Sequence, residues 1–283
     1  MPEPLTAEHL HVHGLPCHRL SLPNGDTVTV ACHGAQVLSW VCAGRERLYL
    51  SPRSIFDGQA AIRGGVPICF PQFNLRGALP KHGFVRNLPW QALAAPGQDG
   101  LQARLSLRLS SSAATRAYWA NEFELTLTLE LLPQALLLQL DVHNIGQTEF
   151  AFTGALHTYL RVKDLAGLRL QGLGGQPAWD AVTDQHGLGD SSISFGAEFD
   201  RVYDAPARPL CAQEDAQRLQ IEQSASFEHT VVWNPGAEKC ASLADMPADG
   251  WRHMLCIEAA QVLSAQTLGP GHSWSGWQRL SVL

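Results

Sequence analysis

From Phe123 to Leu131 the chain reads FELTLTLEL, with an apolar side chain at every second position. An extended strand turns alternate residues to opposite faces, so Phe123, Leu125, Leu127, Leu129 and Leu131 share one face and the polar residues share the other. Such a segment cannot bury its apolar face as a helix. It needs a partner sheet. The same period recurs in LSLRLS (105–110), with leucines at 105, 107 and 109. Near the start, HRLSLPNGDTVTVACHG reads as a hairpin turning at Pro23-Asn24-Gly25-Asp26. Further strands fit LLLQLDVHN (136–144), GLRLQGL (167–173), EHTVVWNP (228–235) and QRLSVL (278–283). Helical periodicity is scarce. A short helix fits 53–60, MPADGWRHMLCIEAA (246–260) suits either helix or strand, and the polar run 212–226 reads as a loop beside a strand. Many strands of similar length, punctuated by Gly, Pro and Asn, predict an all-β chain: a large antiparallel β-sandwich, one domain over 1–283.

Composition narrows the function. Apolar residues make up 45% and charged residues only 16%, so a large core is within reach and much of the surface is neutral. The net charge of −6 argues against a nucleic-acid partner. A basic cluster inside an acidic chain then points to a small anionic ligand. The seven cysteines are odd in number and form no CxxC pair, which reads as reduced thiols in a cytoplasmic protein. MPEPLTAEHLHVHGLP has no basic and apolar succession of a secretory signal, and LLPQALLLQL is too short and too broken to span a membrane.

Several polar residues stand out against apolar surroundings. AIRGGVPICFPQF carries a single charge, Arg63, on a segment stiffened by Pro67 and Pro71. LPKHGFVRN (79–87) packs Lys81, His82 and Arg86 around a glycine. Glycines allow close backbone approach and prolines fix the path, so such loops can hold an arginine fork for a phosphate. Equally, Arg63 and Arg86 could pair with structural carboxylates. In TGALHTYLRV (153–162), alternation puts Ala155, His157, Tyr159 and Arg161 on one face; on pattern alone a structural histidine is the simpler reading. In MLCIEAA (254–260), Met254, Cys256 and Glu258 share a face. Burial there would raise the Glu258 pKa and make it a useful base, whereas an edge strand would leave it in water. Asp200, in EFDRVYDAP, suits either sugar hydroxyls or a turn cap. His9, His11 and His13 could share a strand face and chelate a metal, but a usable site wants further ligands and a second shell. Trp40, Trp233, Trp251 and Trp277 suit core or sugar-stacking surface. GxGxxG, Walker A, HExxH and GxSxG patterns are absent, which removes the best support for nucleotide, zinc-protease and serine-hydrolase chemistry.

Four blocks in order, AIRGGVPICFPQF, LPKHGFVRNLPW, FTGALHTYL, and EFDRVY with WNP…DMPADGWRHMLCIEAA, resemble the aldose 1-epimerase (mutarotase) superfamily, and within it the hexose-6-phosphate branch. The resemblance runs through nearly the whole chain. It implies the galactose mutarotase-like supersandwich fold, with His157 and Glu258 as catalytic residues. It places substrate contacts on Arg63, Lys81, Arg86 and Asp200, with His82 beside them. It implies no cofactor and no metal, a small hexose 6-phosphate as partner, and a monomer or weak homo-oligomer. The implied chemistry is ring opening and closure: Glu258 takes the proton of the anomeric hydroxyl and protonated His157 gives one to the ring oxygen. Lys81 stands where the family pattern has glutamine, and PQFNLRG departs from its P-x-F-G pattern. Two alternatives stay open: the same reaction on unphosphorylated hexoses, and a non-catalytic sugar-phosphate binder.

Overall fold

The alternating segments fold as three antiparallel sheets. The structure is a computed structural model that describes residues 7–93, 98–99 and 101–283. The first six residues of the N-terminal reading therefore lie outside the described residues. A meander of Glu8–Val12, Leu15–Ser21, Thr27–Ala31, Val37–Cys42 and Arg45–Glu46 forms the first sheet. Its second turn is the one expected at 23–26, where Asp26 accepts from the backbone of Ala43 and Gln134.

The second sheet carries the FELTLTLEL pattern. Phe123–Leu132 lies between Gln102–Ser110 and Ala135–Asn144, with Leu129 opposite both Leu105 and Leu138. Ser273–Val282 and Gln217–Gln223 continue it. The leucine face packs into one large core, where each fully buried leucine contributes about 2 kcal/mol.

The third sheet runs through Pro177–Asp180, Phe199–Asp204, His229–Asn234, Met254–Leu268, Phe150–Leu156 and Ile68–Cys69, with Tyr159–Arg161 also paired to Met254–Leu268. Its inner face, including Leu156, Leu160, Val232, Leu255 and Ile257, joins the main core. Gln278 crosses between the second and third sheets. Its side chain is fully buried; Oε1 accepts from Thr158 Oγ1 at 2.5 Å and Nε2 donates to the Ile257 carbonyl at 3.0 Å.

Three local expectations change and a fourth, left open between helix and strand, is resolved. Residues 53–60 form turns and bends rather than a helix. Within 212–226, Leu210–Glu214 and Gln217–Gln223 make a hairpin turned by Asp215 at positive φ, with Leu219 and Ile221 packed inward between polar neighbours. His13 leaves the strand of His9 and His11: its φ is 49° and its ring stacks on Phe56, so the three imidazoles do not share a strand face. Residues 246–260 divide, a short 3-10 turn at Gly250–His253 leading into the strand from Met254.

Candidate active site

AIRGGVPICFPQF is neither surface loop nor ordinary strand. It is the edge of the third sheet. Ile68 and Cys69 pair with Leu156 and Ala155. The Pro67 carbonyl accepts from the His157 N–H at 3.0 Å, and the Pro71 carbonyl accepts from the Thr153 N–H at 3.0 Å. An edge asks these prolines only for carbonyls, so their missing N–H groups cost nothing. Gly65 answers a steric demand, since its φ is 62° and a Cβ there would lie 2.0 Å from the Val37 carbonyl oxygen. The second loop clasps the first: His82 N–H donates to the Asn74 carbonyl, and a Cβ on Gly83 would lie 1.9 Å from the Phe70 carbonyl oxygen.

The register brings the chemistry together. Leu156 lies opposite Ala259 and Tyr159 opposite Cys256, so one step along each strand places His157 opposite Glu258. His157 Nε2 and Glu258 Oε1 are 3.4 Å apart. On the other side of the same central strand, Val231 lies opposite Glu258 and Trp233 opposite Cys256, with Asp200 opposite Trp233. Alternation therefore gathers these side chains on the face turned away from the main core. His157 and Tyr159 stack with ring centroids 4.8 Å apart, and Trp233 meets both edge-on.

Over this floor opens a cleft of about 150 Å³. All seven expected site residues line it: Arg63, Lys81, His82, Arg86, His157, Asp200 and Glu258. Sequence reasoning assigned no role there to Tyr159, Lys239, Phe73 or Asn74, and left Trp233 between core and sugar surface. Tyr159 had a legible signal, as the residue two beyond His157 on one strand face. Lys239 had none, because it comes from the separate helix Gly236–Ser242. A larger groove of about 520 Å³, between 165–171 and 191–195, has Arg169 as its one ionisable lining residue and offers no acid–base pair.

Arg63 is partly committed. Its Nε donates to Asp245 at 3.1 Å and a terminal nitrogen donates to the Tyr159 hydroxyl at 3.1 Å. Burial opposes its charge, and Tyr159 and Asp245 outweigh burial to hold the guanidinium above its ordinary value. The structural-carboxylate alternative thus describes one side of Arg63. It does not describe Arg86, which donates to the Lys81 carbonyl and has no carboxylate partner among the described residues. Lys239 pairs with Glu198.

Glu258 is only 1% exposed. Burial, then the nearby Asp200, push its carboxyl well up, with Lys81 a partial offset. Burial pushes His157 well down, and Arg86 and Arg63 push it further. Both shifts favour the neutral pair, with the proton on Glu258. Burial pushes His82 down too, and any positive charge on His157, then Arg86, Lys81 and Arg63, push it further. The His82 Nδ1 accepts from the Asn74 N–H at 3.2 Å, so Nε2 carries the proton and is a donor at the cleft. Asp200 is pushed up to about 6 by burial and by Glu198, against Lys239 and Lys81. Burial, then Lys239 and the arginines, lower Lys81.

His157, Cys256 and Glu258 offer donor atoms within 4.8 Å of one another. The trio suits a metal poorly. Burial and Glu258 hold the Cys256 thiol well above its ordinary value, so it keeps its proton, and four basic side chains share the cleft.

An edge-braced antiparallel sheet with an acid–base pair on its outer face and a basic rim defines a class that comparison identifies. The family model for aldose 1-epimerase matches residues 16–281. A "Putative glucose-6-phosphate 1-epimerase" from Salmonella typhimurium is 37% identical over 83% of this chain and 80% of its own length. One of the same name from Cenchrus ciliaris is 32% identical over 89% of this chain and 80% of its own. The crystal structure of a "putative mutarotase" from Salmonella typhimurium superposes with a TM-score of 0.89 at 31% identity, covering 99% of this chain and 94% of that one. A galactose 1-epimerase from Lactobacillus acidophilus shares the fold, with a TM-score of 0.72 at 15% identity and 99% of each chain covered. The chain belongs to the aldose 1-epimerase family and is an isomerase of that type.

Proposed function

We propose that this protein interconverts the α and β anomers of a hexose 6-phosphate, glucose 6-phosphate being the substrate its relatives' names suggest. The observation that carries the reading is a buried acid–base pair, His157 opposite Glu258, in a cleft whose rim holds Arg86 and Lys81 with no carboxylate partner among the described residues. In the reacting complex Glu258, as carboxylate, takes the proton of the anomeric hydroxyl. His157, as imidazolium, gives a proton to the ring oxygen. The C1–O bond of the ring breaks, the aldehyde turns about C1–C2, and the ring closes on the other face with the two roles reversed. Each proton transfer supplies about 10²–10⁴ in rate. Asp200 and the Nε2–H of His82 hold sugar hydroxyls. Arg86 and Lys81, with the free side of Arg63, hold the phosphate.

One observation favours a second reading. Arg63 already has Asp245 as counter-ion, which weakens its claim on a phosphate and leaves room for the same chemistry on free aldoses. Anomer exchange followed by NMR magnetisation transfer separates the two, with glucose 6-phosphate, glucose and galactose in parallel. Preferential acceleration of the phosphate ester, with the preference lost in Arg86→Gln, supports the hexose 6-phosphate. Equal acceleration of all three sugars replaces it with a free aldose. No acceleration of any sugar leaves a binding protein.

A further inference from the structure

Ring opening starts from a Glu258 carboxylate and a His157 imidazolium. In the free cleft His157 Nδ1 and Glu258 Oε2 are buried with no hydrogen-bond partner among the described residues, so an imidazolium would leave a charged N–H orphaned and a carboxylate would lack a donor; burial favours the neutral pair in the same direction. Both states carry one proton. They differ only in its seat, Oε1 of Glu258 or Nε2 of His157, 3.4 Å apart.

The surroundings bias that seat. Arg63 comes from the edge segment, Lys81 and Arg86 from the second loop, and Lys239 from its helix. His82 packs its ring 5.4 Å from that of His157, with Cys69 of the edge strand against its Nδ1; Asp200 and Cys256 stand on the neighbouring strands, and Asp245 offsets part of the Arg63 charge. Positive charge acts on the two partners unequally. Arg63, Lys81 and Arg86 come from the edge segment and the loop that clasps it, beside the segment carrying His157, whereas Glu258 lies one strand further in; Arg63 is moreover tied to His157 through Tyr159. Tyr159 fixes part of this geometry, since its ring lies flat on His157 while its hydroxyl accepts from Arg63. A basic rim thus repels an imidazolium more than it favours the opposing carboxylate.

We propose that the phosphate of the substrate corrects this itself: seated among Arg63, Lys81 and Arg86, the dianion cancels their field at His157, and the shared proton passes from Oε1 of Glu258 to Nε2 of His157. This rests on the hexose 6-phosphate reading above. The step balances, for one O–H bond breaks, one N–H bond forms, and the products are carboxylate and imidazolium with no proton gained or lost. The phosphate is then an activator as well as a handle. Selectivity for the ester is expressed in kcat, not only in KM.

The test uses the full chain labelled with ¹⁵N-histidine, the His157 signals being assigned by their loss in His157→Asn. At neutral pH, saturating glucose 6-phosphate shifts both His157 nitrogens to the imidazolium pattern, and saturating glucose leaves them neutral. In parallel, sulfate, a dianion too weakly basic to catalyse mutarotation appreciably, is added to the enzyme turning over xylose, which lacks the sixth carbon and its phosphate. Sulfate raises kcat for xylose about tenfold or more, the effect of one pKa unit at the acid. If His157 stays neutral in both complexes, or glucose 6-phosphate and glucose share one kcat and differ only in KM, the activation is overturned while the hexose 6-phosphate reading stands. If glucose 6-phosphate gains neither in kcat nor in KM over glucose, that reading falls and the activation with it.

Discussion

Two carboxylates line the cleft, Glu258 buried and Asp200 half-buried, and their protons answer to different neighbours. Glu258 shares its proton with His157, whereas Asp200 titrates near 6 among Glu198, Lys239 and Lys81. Because the folded value lies above the ordinary 3.8, the folded state binds the Asp200 proton more tightly than the unfolded state does. Stability from this group is full below the unfolded value and is lost as pH rises through about 6. Asp200→Asn stays neutral throughout, so it gains on the parent between about pH 4 and pH 7. Discounting for partial exposure, the gain is about 1 kcal/mol, or about 2–4 °C in Tm by calorimetry. The substrate affinity of the parent falls below about pH 6, where Asp200 gains a proton and loses acceptor capacity, and the Asn variant lacks that step. His157→Ala and Glu258→Gln each lower kcat by about 10²–10⁴ with the fold intact by circular dichroism. Loss of kcat in only one of them would break the paired assignment. His157 and Glu258 were separately visible in the sequence as polar residues on apolar strands. Their meeting was not, because the register between segments a hundred residues apart leaves no trace in either segment's own pattern.

At the scale of elements, the edge segment shows why its composition looked contradictory. Ile68 and Phe70 face the core, Pro67 and Pro71 serve as acceptors on a sheet edge, and Gly65 lets two backbones touch. Gly83 does the same for the second loop. Gly65→Ala and Gly83→Ala each force a left-handed backbone on a Cβ with no space, so each destabilises by more than about 2 kcal/mol in urea unfolding. A loss below about 0.5 kcal/mol would mean that the backbones are free to separate at that contact, with Val37 for Gly65 and with Phe70 for Gly83. The long alternating strands were legible because each buries one face. The hairpin at 210–223 was not, because its inward residues, Leu219 and Ile221, are outnumbered by polar neighbours.

Across the whole molecule, the site depends on the sheet behind it. Thr158 and Ile257, the neighbours of His157 and Glu258, bond to each other through Ile257 N–H and the Thr158 carbonyl, and both bond to Gln278 of the opposing sheet. Gln278→Leu orphans a buried hydroxyl and a buried carbonyl, at about 2–4 kcal/mol by denaturant titration. It also lowers kcat more than it raises KM, since the pair and not the rim is disturbed. A stability loss with unchanged kcat would confine Gln278 to a structural role. An all-β sandwich was legible from the repeated strand pattern; that pattern pointed to two packed sheets and did not separate off the N-terminal meander as a third. The tie through Gln278 was not legible, because one glutamine near the C-terminus gives no sign of its distant partners.

The Gln278 tie also sets where in the unfolding process catalysis is lost. Many enzymes keep their working residues on parts that loosen early, so activity fades while the body of the protein still holds. Here the reacting pair is pinned through fully buried hydrogen bonds between two sheets, and the amides there are expected to exchange only when the whole structure opens. Activity and global folding should then disappear along one curve, and turnover of the sugar would serve as a direct gauge of how much of the population is native.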